Sequence, residues 1–291
     1  MSFTAIVPRD ARVVRLATNL AFTEGPVWLE AEQSLLFTDI PHNRIHRWNS
    51  RGGLTVWNDN AHFAIGLAVD LAGRVIACEH STRRLTRREL DGSSVTIASS
   101  YGRHALNSTN DACVRRSDGA VFFTDPPFGV CLDDDGALVG YQVGMKYGAC
   151  GVFKVTDDPA RPRLVTNAIH RPNGICFSLN EHSLYVSDSS ELHHRVHLLE
   201  LNDDDTAKSD RVFAVIDAGV PDGMRIDSED RLYVAALDGV HVFAPAGELI
   251  AKIPVPEMVT NLCFGGPDLK TLFITATSSL YALELSVKGV A

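Results

Sequence analysis

The chain has 291 residues, 27 basic against 36 acidic side chains, a formal net charge of −9 and 45% hydrophobic residues, the composition of a globular protein with a substantial core. The acidic balance argues against a nucleic-acid partner, and no apolar run approaches the roughly 18 residues a spanning helix needs. The first ten residues also lack the basic-then-apolar plan of a signal peptide, so a cytoplasmic protein without membrane association is expected.

In chain order, a strand-like stretch at 11–17 is followed by six units of one plan: a turn-like pair, a short apolar strand, a polar turn and a second apolar strand. The units cover 24–39, 65–79, 110–125, 173–188, 222–236 and 261–276. Each second strand starts 10 or 11 residues after its unit begins, and successive units begin 41, 45, 63, 49 and 39 residues apart. A repeat of about 40–50 residues built of short strands is the mark of a propeller blade. The predicted fold is therefore all-β, a six-bladed β-propeller of four-stranded blades. Third and fourth strands are visible at 44–48, 84–88, 151–155 and 240–243. Only 279–285 follows the last unit, so the N-terminal strand is expected to complete the sixth blade and close the ring. The whole of 1–291 then forms one domain.

The spacing of 63 reflects an insertion at 126–147, which carries Asp133, Asp135, Met145 and Tyr147 and is expected to act as a lid over one mouth of the channel. Residues 203–205, three aspartates, are expected at an exposed hairpin tip. The six cysteines, Cys78, Cys113, Cys131, Cys150, Cys176 and Cys263, have no Cys-x-x-Cys spacing and read as buried reduced thiols.

Innermost strands line a propeller's channel, so equivalent positions face one another across it. The first residues of the units are Glu24, Ile65, Asn110, Asn173, Asp222 and Asn261. Oxygen donors converging on an axis make a hard-cation site. Glu24 and Asp222 balance a divalent charge, and Asn110 and Asn173 add neutral oxygens. No histidine or cysteine belongs to the set, which disfavours a dedicated structural zinc site. Asn-Gly and Asp-Gly are also common turn dipeptides, but Glu24 is no turn former. A second set, Asp39, Glu79, Asp125 and Asp188, ends the second strands and returns to the same rim, as partners of the site, as a base, or as turn caps. His80, His104 and His170 lie near blade rims, and His80, following Glu79, is the best placed to meet a substrate. Gly-x-Ser-x-Gly is absent, so there is no nucleophile elbow.

The segments 24–28 (Glu-Gly-Pro-Val-Trp), 107–111 (Asn-Ser-Thr-Asn-Asp), 171–174 (Arg-Pro-Asn-Gly) and 221–223 (Pro-Asp-Gly) resemble the gluconolactonase family, which includes regucalcin and bacterial sugar-lactone hydrolases. The resemblance spans nearly the whole chain. It implies a six-bladed propeller with one divalent metal in the channel, ligated by Glu24, Asn173 and Asp222. It implies that Asn110 contacts substrate or a linked water and that Asp222 is the general base. Calcium is the expected ion, with zinc, magnesium, manganese and iron also assigned in the family. Ser108 stands where regucalcin-type members carry a sugar-contacting arginine, and Ile65 where many bacterial members have asparagine.

The expected activity is hydrolysis of a sugar (aldonic acid) lactone to its hydroxy acid. The metal serves as Lewis acid, Asp222 or Asp125 accepts the water proton, and Asn110, His80 and Asp125 surround the substrate. Two other readings stand beside it: metal-dependent aryl-esterase or phosphotriesterase chemistry on the same scaffold, and a non-catalytic metal-binding propeller.

Overall fold

The computed structural model describes residues 6–132, 138–140 and 146–290. Each unit folds into a four-stranded antiparallel sheet whose strands pair in meander order. Blade 1 comprises Thr23–Leu29, Ser34–Asp39, Arg44–Asn49 and Gly53–Asn58; blade 2, Ala64–Val69, Val75–Glu79, Arg84–Arg88 and Ser94–Ala98. Blade 3 comprises Ala112–Val114, Val121–Asp125, Gly151–Lys154 and Arg163–Thr166; blade 4, Pro172–Phe177, Ser183–Asp188, Arg195–Leu201 and Ala207–Val215. Blade 5 comprises Met224–Ile226, Leu232–Ala236, Gly239–Phe243 and Leu249–Pro254. In blade 6, Val259–Gly265, Thr271–Ala276 and Ser279–Glu284 are joined by Val14–Ala17 as the outermost strand. Innermost strands contact their neighbours in sequence around the ring, and the first contacts the last. This is the six-bladed propeller expected from the repeat.

The sequence pattern follows from this layering. Second strands are covered on both faces by adjacent blades, so they read as unbroken apolar runs: Leu35, Leu36 and Phe37 are all fully buried, as is every residue of Leu232–Ala236. The outermost strand Leu249–Pro254 alternates between exposed and buried positions. Turn chemistry fixes the hairpins. In blade 2, Asp70 Oδ1 accepts the backbone N–H groups of Ala72 and Arg74, and Gly73 takes the left-handed φ of +78° that the turn requires.

The insertion contains an antiparallel pair, Val130–Leu132 with Leu138–Gly140. Its return is tied to the rim of blade 3: the Lys146 N–H donates to Asn107 Oδ1 at 2.6 Å and the Tyr147 hydroxyl to Asp125 Oδ2 at 2.8 Å. Residues 133–135 and Met145 lie outside the described residues. The expectation for 203–205 is corrected at one residue. Asp203 and Asp204 are exposed, but Asp205 is buried and accepts from Arg115 Nη1 and Lys154 Nζ at 2.5 Å each. Two cations reaching over from blade 3 draw that carboxylate inward. Cys78, Cys113, Cys150, Cys176 and Cys263 are free thiols, and burial pushes Cys176 and Cys263 up to about 12; the side chain of Cys131 lies outside the described residues.

Closure rests on the N-terminal segment. Val14 pairs with Ala282 and Ala17 with Leu280, while Ile6 and Val7 are buried in the core between blades 5 and 6. Deleting residues 1–17 bares the edge of Ser279–Glu284 and removes that burial, worth roughly 2 kcal/mol for each of the two side chains. The truncated chain is expected to melt at lower temperature and to self-associate in size-exclusion chromatography; a monomer with an unchanged midpoint contradicts this closure.

Candidate functional site

Strand register sorts the channel-facing residues into rings. Val27, Ala68, Cys113, Cys176, Arg225 and Cys263 each pair with the second residue of the neighbouring apolar run. Counting back from them, one ring holds Gly25, Gly66, Asp111, Gly174, Gly223 and Asn261. The ring beyond it, at the rim, holds Glu24, Ile65, Asn110, Asn173, Asp222 and Thr260. The sequence alignment is therefore corrected in the sixth unit: Asn261 lies one level deeper than its supposed equivalents, because Cys263, only two residues on, pairs with Phe273 as Val27 does with Leu36, and the hairpin loop 266–270 is one residue longer than 30–33. Thr260 takes the rim position, and its hydroxyl donates to Thr23 O at 2.7 Å, tying blade 6 to blade 1.

Glycine dominates the deeper ring because the inner strands nearly touch there. A Cβ on Gly66 would lie 2.4 Å from Asn110 O, and one on Gly223 would lie 2.0 Å from Asn261 Cγ. The same approach lets each blade grip the next: the Gly66 N–H donates to Asn110 O and the Gly223 N–H to Thr260 O, while the Thr38 hydroxyl donates to Ile65 O and the Thr124 hydroxyl to Asn173 O. Ring-residue carbonyls are consumed between blades.

Glu24 is buried; its Oε2 accepts the Gly25 N–H at 2.6 Å and Asn261 Nδ2 at 2.9 Å. Asp222 is half-buried and hydrogen-bonded to the Asn173 side chain and the Gly223 backbone. Burial holds both carboxyls well above the usual carboxylate range, and their mutual repulsion adds to it at Asp222. Glu24, Asn173 and Asp222 are thus brought to one end of the channel, with Asn110 (2% exposed) in the same ring. No hydrogen bond to the Asn110 carboxamide occurs among the described residues.

Two channel residues escaped the sequence reading. Asp111 is the single acid among the ring glycines. It is buried, its Oδ1 accepts the Ala112 N–H at 2.9 Å, and it reaches Ile175 in blade 4 and Asn261 in blade 6. Its charge acts on both Glu24 and Asp222. Arg225, one level deeper, places Nη1 3.8 Å from Asp111 Oδ2 and donates to Met224 O at 2.6 Å. Comparing the second residue of each unit, glycine four times and aspartate once, would have singled out Asp111.

The remaining candidates sit around the rim. Asp125 is fully buried: Oδ1 accepts the Ser108 N–H at 2.9 Å, and Oδ2 accepts the Asn107 N–H and the Tyr147 hydroxyl at 2.8 Å each. Burial raises its pKa to about 7 against these donors. Asp39 similarly accepts from Ala21 and Phe22, and Asp188 from Arg171 and Ser190. Glu79 accepts from Thr82, Thr86 and Arg84. Asp39, Asp125 and Asp188 thus latch the loop that feeds the inner strand of their blade, whereas Glu79 fixes the turn and strand that follow it. His80 is 3% exposed, and burial lowers its pKa to about 4, while His104 and His170 are exposed. The Ser108 hydroxyl donates to Pro126 O at 2.8 Å.

A cavity of about 840 Å³ opens at the opposite mouth, walled by Val27, Ala68, Cys113, Cys176, Arg225 and Cys263. It holds none of the rim carboxylates, and its lining offers Arg225 alone from the charged channel residues. The carboxylates gather at the other end.

Residues 22–278 match the family described as SMP-30/gluconolactonase/LRE-like region. A gluconolactonase of Zymomonas mobilis is 28% identical over 98% of this chain and 84% of its own length. A pentonolactonase of Haloferax volcanii is 26% identical over 89% and 82%. Among solved structures, a gluconolactonase from Xanthomonas campestris superposes with a TM-score of 0.85 at 33% identity, covering 97% of this chain and 92% of that one.

Two outcomes follow from the packing. Gly66→Ala forces a methyl group against a backbone oxygen and is expected to cost roughly 3 kcal/mol in urea unfolding; a cost below about 0.5 kcal/mol contradicts the ring contact. His80 has a folded pKa of about 4 against an ordinary 6.5, so the unfolded chain binds the extra proton between those values. Its contribution therefore falls as pH drops through that window, by up to roughly 3 kcal/mol. The pH slope of wild-type stability minus that of His80→Gln is expected to show this loss; parallel curves contradict it.

Proposed function

Because the chain belongs to the SMP-30/gluconolactonase/LRE-like family, we propose that it opens sugar (aldonic acid) lactones to their hydroxy acids at the Glu24, Asn173 and Asp222 end of the channel, with one divalent cation bound there. The observation that carries this reading is the pair of carboxyls, Glu24 and Asp222, in one ring at the rim of the channel with Asp111 one level beneath them. Burial, and at Asp222 the nearby Glu24 charge, disfavours ionising both carboxyls, and a cation held between them would relieve that cost. The donor set fits one: two carboxylates and the Asn173 carboxamide are hard oxygen ligands, which favours calcium over softer ions. Arg225 lies one level too deep to take this role, and its nearest acid is Asp111 at 3.8 Å.

A bound divalent cation supplies a Lewis acid for the ester carbonyl of the lactone. The chain's own groups do the rest. Asp222, held by Asn173 and the Gly223 N–H, accepts the proton of the attacking water on a carboxylate oxygen. Glu24 is fixed by Gly25 and Asn261, so it enters the reaction already oriented. The Asn110 carboxamide, in the same ring, donates to the ring oxygen or a hydroxyl of the substrate. Asp125 acts through position: by holding the Asn107 and Ser108 N–H groups it sets the loop that delivers Asn110. The Ser108 hydroxyl is turned toward Pro126, so the sugar contact supplied by arginine in regucalcin-type relatives has no counterpart at this residue. Ile65 makes that arc of the rim apolar.

Hydrolysis of glucono- and xylonolactone by metal-stripped protein re-supplied with calcium, magnesium, manganese, zinc or ferrous iron tests the proposal, with an aryl ester and a phosphotriester run alongside. Calcium is expected to restore lactone turnover, and Glu24→Gln and Asp222→Asn to lower it by more than about a hundredfold while remaining folded. Turnover independent of added ion, or full activity in Glu24→Gln, contradicts the proposal; preferential turnover of the aryl ester or phosphotriester moves the substrate class.

A further inference from the structure

We infer that the rim of blade 4 carries a second metal site, built from His170, Asp188 and His193, that takes a zinc-class divalent ion and is separate from the channel. One ligand atom from each of the three residues lies within 4.8 Å of the others. His193 Nδ1 is already 3.0 Å from Asp188 Oδ2, and the two imidazole rings meet edge to face with centroids 5.8 Å apart. Zinc bonds of about 2.0–2.2 Å would place the ligand atoms roughly 3.3 Å apart. Rotation of the exposed His170 side chain supplies the remaining closure.

The surrounding backbone assembles this trio. Asp188 ends the second strand of blade 4 and is buried. Its Oδ1 accepts the Arg171 N–H at 3.0 Å and the Ser190 N–H at 3.1 Å, so one oxygen anchors both histidine-bearing segments and the other is left facing His193. The Ser189 N–H donates to Arg171 O, joining the same two segments again. Ser190 O accepts the N–H groups of both His193 and His194, which pins the turn. His194 is spent locally, its Nε2 lying 2.7 Å from Glu191 O, whereas His193 turns toward the carboxylate. Two imidazoles and one carboxylate, half-open to solvent, form a three-ligand set that leaves a coordination position for water or a further ligand. Imidazole nitrogen selects zinc-class ions over calcium, the reverse of the oxygen-only set in the channel.

Two similar clusters show what this one has that they lack. Asp217, Asp238 and His241 also converge, but Lys252 Nζ already lies 2.6 Å from Asp217 and 3.2 Å from Asp238 and neutralises them. In blade 1, Asp39 latches its loop and meets His42 at 2.7 Å in the same manner, yet its second histidine, His46, is 3.8 Å away and stacked on Phe37. Among the described residues no lysine or arginine forms an ion pair with Asp188.

The test is zinc titration of untagged full-length protein kept in calcium, by calorimetry, with the absorption of added cobalt as a second readout. Wild type and Glu24→Gln are each expected to bind one equivalent of zinc outside the channel. His170→Ala and His193→Ala are expected to weaken that equivalent by more than about a hundredfold, since even outer partners of a metal ligand are worth tenfold to a hundredfold. Cobalt is expected to give visible bands in wild type that both histidine variants lose. Unchanged zinc affinity in either histidine variant, no zinc binding by wild type, or loss of the equivalent in Glu24→Gln overturns the inference. The readout is independent of lactone turnover, so it stands or falls separately from the proposed activity.

Discussion

The structure is organised around a repulsion. Six inner strands converge so closely that four of the six deeper ring positions must be glycine, and at that neck the chain places Glu24, Asp222 and Asp111 within one another's electrostatic reach. Buried like charges are costly unless something of opposite sign joins them. Arg225 meets part of that demand from below, at Asp111; in our proposal a cation from outside meets the rest at the rim pair. An arrangement that costs stability in the isolated chain and gains it on binding is what a preorganised ion site requires.

The rest of the fold serves to hold that arrangement still. Ring carbonyls are taken up by hydrogen bonds from the neighbouring blade, as Asn110 O is by Gly66 and Asn173 O by Thr124. Three of the rim carboxylates that end second strands, Asp39, Asp125 and Asp188, latch the loop that leads into their inner strand. The same device recurs with different partners: a tyrosine from the insertion at Asp125, a histidine at Asp39, and at Asp188 His193 with His170 close by. A structural latch thus becomes a candidate ligand set where the adjacent loops happen to supply imidazoles.

Much of this was legible in the sequence because the repeat is physical. Every blade needs an apolar run covered on both faces, and the constant offset to that run fixed both the blade count and the rim residues Glu24, Asn173 and Asp222. The last unit misled by one position because Asn261 resembles the other asparagines in type. Its level follows from the first hairpin of blade 6, where residues 266–270 form a loop one residue longer than 30–33 in blade 1, so the usual offset to the apolar run lands one residue too deep. Asp111 was missed because its neighbour Asn110 filled the expected slot, although the loss of glycine at that position marked it. Asp205 was read as exposed because burial of a single polar residue depends on partners far along the chain, here Arg115 and Lys154.

The central claim, that the rim carboxyls form a site short of one cation, is tested most directly by thermal unfolding of metal-free wild type and Glu24→Gln near neutral pH, with and without calcium. Removing one of the crowded charges should leave the metal-free variant at least as stable as metal-free wild type. Calcium at a hundredfold excess over its dissociation constant should then stabilise wild type by about 3 kcal/mol and Glu24→Gln hardly at all. A metal-free variant clearly less stable than wild type, together with equal calcium stabilisation of both, would contradict the account.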